Sequence, residues 1–110
     1  MAITNTAVTS SNTTIYTSSG NNAITTILFC NTSTFNSSSP TANQSLLYVY
    51  AVPSGSSAGA GTIIVNGLPI PAGETVSLDQ EKLVLANGDT IVAKTDSLSN
   101  ITATVSTLAV

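Results

Sequence analysis

Apolar and polar positions alternate along this chain in short runs. Turn residues punctuate the runs about every 8–14 positions, a rhythm of strands rather than helices. The run 13–17 (TTIYT) is β-branched and precedes the turn Ser18-Ser19-Gly20-Asn21-Asn22. Residues 23–31 (AITTILFCN) predict a strand with Ile24, Thr26, Leu28 and Cys30 on one face and Thr25, Ile27 and Phe29 on the other. Both faces carry apolar groups, so one should meet the core and the other a partner or a covering loop. Residues 45–52 (SLLYVYAV) predict a second strong strand, with Leu46, Tyr48, Tyr50 and Val52 opposite in facing to Leu47, Val49 and Ala51.

The second half repeats the rhythm. Residues 62–66 read as a strand stopped by Gly67, and 68–73 (LPIPAG) as a stiff turn whose two prolines cannot pair in a central strand. Strands are expected at 74–78, 82–85, 90–95 and 101–109, with Asn87-Gly88 as a tight-turn signal and Ile101, Ala103 and Val105 pointing inward. The best helical candidate, 78–86, is too short and lies too close to a Pro-Ala-Gly turn. About eight strands with no capped helical period predict an all-β fold: a single antiparallel β-sandwich or jelly-roll-like domain. Its span is 13–110. Residues 1–12 are polar, have only Ile3 and Val8 as large apolar anchors, and read as an N-terminal arm.

Two long stretches join these strands. Residues 31–44 form a polar loop in which Phe35 is the lone large apolar group. It either tucks onto its own domain or docks into a neighbour. Residues 53–61 (PSGSSAGAG) have almost nothing to bury and predict a flexible turn.

Composition changes the picture. Thr, Ser and Asn number 18, 16 and 10 of 110 residues, whereas only 6% are charged. Soluble domains average about 25% charged residues. The surface is therefore hydroxyl and amide. A free monomer normally stays in solution through charge, so either much of this surface is expected to meet other protein, including further copies of the chain, or the chain works at low free concentration; a secreted low-charge domain is the plainer alternative. All five acids and both lysines fall within 74–96, which leaves residues 1–73 without a charged side chain. Such a neutral half suits burial against partners, where unpaired charge is costly. The candidate interface residues are Ile3, Val8, Phe35, Tyr48 and Tyr50. The two tyrosines share a strand face and offer large contact area at low entropic cost.

The inventory excludes much chemistry. Two lysines cannot neutralise a nucleic-acid backbone, so no nucleic-acid partner is expected. No run approaches the 18 apolar residues of a membrane helix, so no membrane is expected either. There is no His, so neither a His-based metal site nor a Ser–His pair is available. Catalytic residues and cofactors are accordingly expected to be none. Asp79, Glu81 and Asp89 offer oxygen ligands to weigh for calcium, but their spacing matches no established loop; the alternative is that the charged patch 74–96 serves solubility. Isolated Thr-x-Thr pairs at Thr4/Thr6 and Thr102/Thr104 fall short of an ice-binding ladder. Cys30 reads as a reduced, buried small hydrophobe. Residues 1–5 carry neither a basic nor an apolar signal region, which predicts synthesis in a cytoplasm.

Over roughly 13–105, the order of these segments resembles small β-sandwich virion proteins of tailed bacteriophages, including cyanophage-type ones. The most specific stretches are Cys30-Asn31-Thr32-Ser33, Ala51-Val52-Pro53-Ser54-Gly55, Pro71-Ala72-Gly73-Glu74 and Leu85-Ala86-Asn87-Gly88-Asp89-Thr90-Ile91. The loop 36–44 is longer than the pattern. The resemblance implies a structural virion component made in the host cytoplasm, with other virion proteins, above all the major capsid protein, as partners. It points to a capsid decoration (cement) protein that binds through residues 1–73 with the acidic turns outward. A tail, neck or baseplate protein, or a receptor- or glycan-binding module with Tyr16, Tyr48, Tyr50 and Phe35 as contacts, are the alternatives.

Overall fold

The computed structural model describes residues 2–78 and 83–110. Among these, nine strands form and no helix: β1 Ala2–Val8, β2 Thr13–Thr17, β3 Asn22–Asn31, β4 Ser45–Val52, β5 Ile63–Ile70, β6 Thr75–Leu78, β7 Leu83–Leu85, β8 Thr90–Thr95 and β9 Ile101–Ala109. The first sheet runs β1-β9-β3-β6, with β7 also on β3; the second runs β2-β8-β4-β5. Every pairing is antiparallel. β6 lies along Ile27–Cys30 and β7 along Asn22–Ile24, so together they fill one strand position.

The pairings β1–β9, β2–β8, β3–β6/β7 and β4–β5 nest one inside the next. The chain is thus one long antiparallel hairpin, folded at β4–β5 and wrapped so that its strand pairs alternate between two sheets. That wrapping is a jelly roll, and it confirms the all-β sandwich expected from the strand rhythm.

The core lies between the sheets. Ile24, Ile27, Phe29, Ile101, Ala103 and Val105 come from the first sheet; Ile15, Leu47, Val49, Ile70, Ile91 and Ala93 come from the second. Each large aliphatic or aromatic side chain here contributes about 1.5–3 kcal/mol by leaving water. The inward set expected on β9 and the Leu47/Val49 face of β4 are both as the alternation predicted.

Several expectations need correction. Simple alternation on β3 would place Ile24 opposite in facing to Ile27, yet both are buried. A bulge between Ile24 and Thr26 sets two residues against one on β9 and resets the parity. Gly67 does not end β5; at φ +79 it sits within the strand, which continues through Pro69 to Ile70. Pro69 is tolerated because β5 is an edge strand, where a missing N–H need not break a ladder. Cys30 is half-buried and free rather than buried, because the reset parity turns it to the outer face. Most of the stretch read as an arm, Ala2–Val8, is a paired strand against β9, with Val8 inserted in the core. Asp79, Glu81 and Lys82 lie outside the described residues.

Side-chain amides fasten the connections at one end of the sandwich. Asn31, itself buried, donates from Nδ2 to the Asn43 and Ile70 carbonyls, 2.9 Å each, and accepts the Ser33 N–H. Asn100 donates to the same Asn43 carbonyl and to Ser33 Oγ, and accepts the Ser45 hydroxyl. Asn43 presents that carbonyl from a left-handed backbone, φ 60, a conformation that Asn adopts more readily than most residues. At the other end Asp89 plays the corresponding part, accepting the Ser54 N–H at 2.8 Å and the Ala86 N–H at 2.9 Å.

Candidate interface

The outer face of the first sheet follows directly from its register. Residues paired across an antiparallel ladder share a face. One row reads Ile3–Ser106–Thr26, the next Asn5–Thr104–Leu28–Ser77, and the next Ala7–Thr102–Cys30–Thr75. A last row sets Leu108 beside Ala23 and Val84. None of these residues is an acid or a lysine. At about 4.8 Å between strands and about 3.3 Å per residue, four strand positions and the length of β9 make a face of about 500 Å².

This face is also partly satisfied within itself. Thr104 Oγ1 donates to Asn5 Oδ1 at 2.8 Å, and Thr25 Oγ1 donates to Ser106 Oγ at 2.9 Å. Hydroxyls that already have lateral partners lose less when water leaves. Among them stand exposed apolar groups: Ile3 (69% exposed), Val84 (68%), Leu108 and Leu28. An uncharged, laterally bonded, partly apolar surface is suited to protein contact.

The outer face of the second sheet differs. Tyr50, Val52 and Val92 form a small second cluster, packed over by Ala58 of the β4–β5 loop and by Ile63. Tyr50 is only 7% exposed. Tyr48 stands beside it, half-buried, with the Lys94 ammonium 5.4 Å from its ring centroid. Lys94 faces Tyr48 directly across the β4–β8 ladder. The loop 53–61, expected as a flexible turn with almost nothing to bury, does cover apolar surface through Ala58.

The expected interface residues are thus dispersed. Ile3 lies on the uncharged face. Val8 is wholly buried in the core, and Tyr50 is buried under its own loop, so neither presents a surface. Tyr48 is half covered. Phe35, 51% exposed, rests on the turn that includes Gly73: a Cβ added there would lie 3.6 Å from Phe35 Cβ. Tyr16 packs partly against the core. These aromatics make no common platform. Leu28, Val84 and Leu108 carry no sequence signal that marks them as interface, because the outward residues of separate strands join into one surface only through the bulge and the pairing.

Chemistry elsewhere is sparse. Among the described residues no group of three or more Cys, Asp or Glu side chains gathers to hold a metal. The Asp89 carboxylate is occupied with backbone N–H groups, and Asp96 accepts the Leu46 N–H at 3.2 Å. An apolar pocket of about 370 Å³ lies between the sheets, lined by Ile27, Ile64, Val65, Leu78 and Leu83, with no polar side chain among those residues to orient a reacting group. No helix among the described residues is long and apolar enough to cross a membrane. No family model, curated protein or solved structure matches the chain.

Proposed function

We propose that this chain is a non-enzymatic structural protein of a tailed-phage virion, made in the host cytoplasm, and that it acts as a capsid decoration protein. The observation that carries the reading is the uncharged outer face of the first sheet. Among the described residues it offers a shell protein a broad surface with no charged side chain to compensate. Binding at many equivalent sites sums weak contacts into firm reinforcement. The jelly roll is compatible with the reading by analogy alone, since the same architecture serves capsid and lectin domains. A glycan-binding role has less support, because Tyr50 is buried and Tyr16, Tyr48 and Phe35 do not converge.

Immunogold labelling of purified particles tests the proposal. Label over the head shell is the expected result. Label confined to tail, neck or baseplate overturns the decoration role, and unlabelled particles overturn the structural role altogether. On the shell, Leu28→Lys should lower occupancy at least about tenfold, the cost of bringing one unpaired charge into a contact.

A further inference from the structure

The sandwich has four outer strand positions, and three of them are blunted. β2 is five residues long and bulged between Thr14 and Tyr16. β5 carries Pro69, a left-handed Gly67 and two register shifts against β4. β6 and β7 are four and three residues long and share one position in two pieces. Proline, bulges and shortness are the devices that keep sheet edges from pairing with other chains. β1 has none of them. Its seven residues, AITNTAV, pair with β9 in unbroken register and include no proline, glycine or charge. Its other edge meets no strand among the described residues, so alternate residues direct their N–H and C=O groups outward there.

We propose that β1 pairs antiparallel with β1 of a second copy, joining the two first sheets edge to edge. The register is set by the strand itself. Full overlap of Ala2–Val8 puts Asn5 on the two-fold axis, Thr4 opposite Thr6 of the second copy, and Ile3 opposite Ala7. Odd-numbered residues then meet odd-numbered ones, so the outer faces of both copies lie on the same side. A register shifted by one residue would set outer against inner positions. No like charges oppose each other at any step. A second copy is favoured over a foreign strand because the contact closes: the joined sheet ends on β6/β7 at both sides, and among the described residues no unblunted edge is left to grow a fibre.

The pairing also resolves a question of area. One uncharged face of about 500 Å² per partner is at the weak end for a stable contact, whereas two merged faces reach the usual range of about 800 Å² per partner. The pairing rests on the strand order, only the area argument leans on the proposed docking of this face, and the test needs no particle.

The experiment is sedimentation of the purified chain at micromolar concentration, followed by disulfide trapping in a Cys30→Ser background. A dimer is expected. Asn5→Lys, which places two lysines together on the axis, should sediment as a monomer with an unchanged circular dichroism spectrum. Asn5→Cys should cross-link to a dimer under mild oxidation, since Cα atoms paired across a ladder lie about 4.5–5.5 Å apart. Ile3→Cys alone should not cross-link, but mixed with Ala7→Cys it should. If Asn5→Lys does not fold, the trapping decides. A monomeric wild type overturns the proposal. So does a dimer in which Ile3→Cys cross-links to itself as fast as Asn5→Cys.

Discussion

Asn31 illustrates how one buried amide holds a loop and a strand end. Its carboxamide bonds the carbonyls of Asn43 and Ile70 and the N–H of Ser33, which belong to the β3–β4 connection and the end of β5. Asn31→Ala would take this partner from the buried Ile70 carbonyl and from the Ser33 N–H, while the Asn43 carbonyl keeps Asn100. The expected loss is about 3 kcal/mol, since each orphaned group costs about 1–3 kcal/mol and some regain water. Urea unfolding of the variant measures it. Asn31 ends the strand read from sequence as 23–31, but nothing in its neighbours marks it as buried. A polar residue at a strand end is normally solvated, and the two carbonyls to which it donates lie 12 and 39 residues away. Sequence reading fails here for a physical reason: the hydrogen bonds that justify burial are long-range, and a residue-by-residue scan sees only the polarity.

At the scale of elements, β3 is governed by its bulge. Ile24 and Ile27 both reach the core because Thr25 is the extra residue opposite β9. Deleting Thr25 therefore leaves Ile24 in, Thr26 out and Ile27 in, a regular alternation. That deletion should fold and cost about 1–2 kcal/mol for the lost hydroxyl contacts to Ser106. Deleting Leu28 instead turns Phe29 out of the core and should abolish the cooperative thermal transition. Circular dichroism melts of the two deletions decide between these outcomes. The same logic separates what was legible. The β4 and β9 alternations were readable because nothing in those strands changes parity along the inward set. β5 was misread at Gly67 because a turn-like residue in an edge strand resembles a strand end. β1 resembles an arm in sequence because, beyond Val8, its stability comes from β9, about a hundred positions away, and not from apolar content of its own.

For the whole molecule, class was legible and arrangement was not. Strand rhythm and the absence of a helical period suffice for an all-β sandwich. Which strands share a sheet depends on how the long hairpin wraps, and no local pattern records that. The candidate face is likewise a product of assembly, drawn from five strands, and of the expected interface residues only Ile3 lies on it. The wrapping also fixes the loop 31–44 in a particular way. Its two ends are tied down by Asn31, Asn100 and the Asn43 carbonyl, while 34–41 stay exposed. Strain introduced midway is thus kept from the core by the amides at either side. A short flexible epitope inserted between Ser37 and Ser38 should leave the melting temperature within a few degrees of the parent, because lengthening an already open loop costs only about 0.6 kcal/mol per doubling. Calorimetry of the insertion variant checks this. The sandwich would then serve as a mount, carrying grafted cargo on a tether whose anchor points do not feel the load.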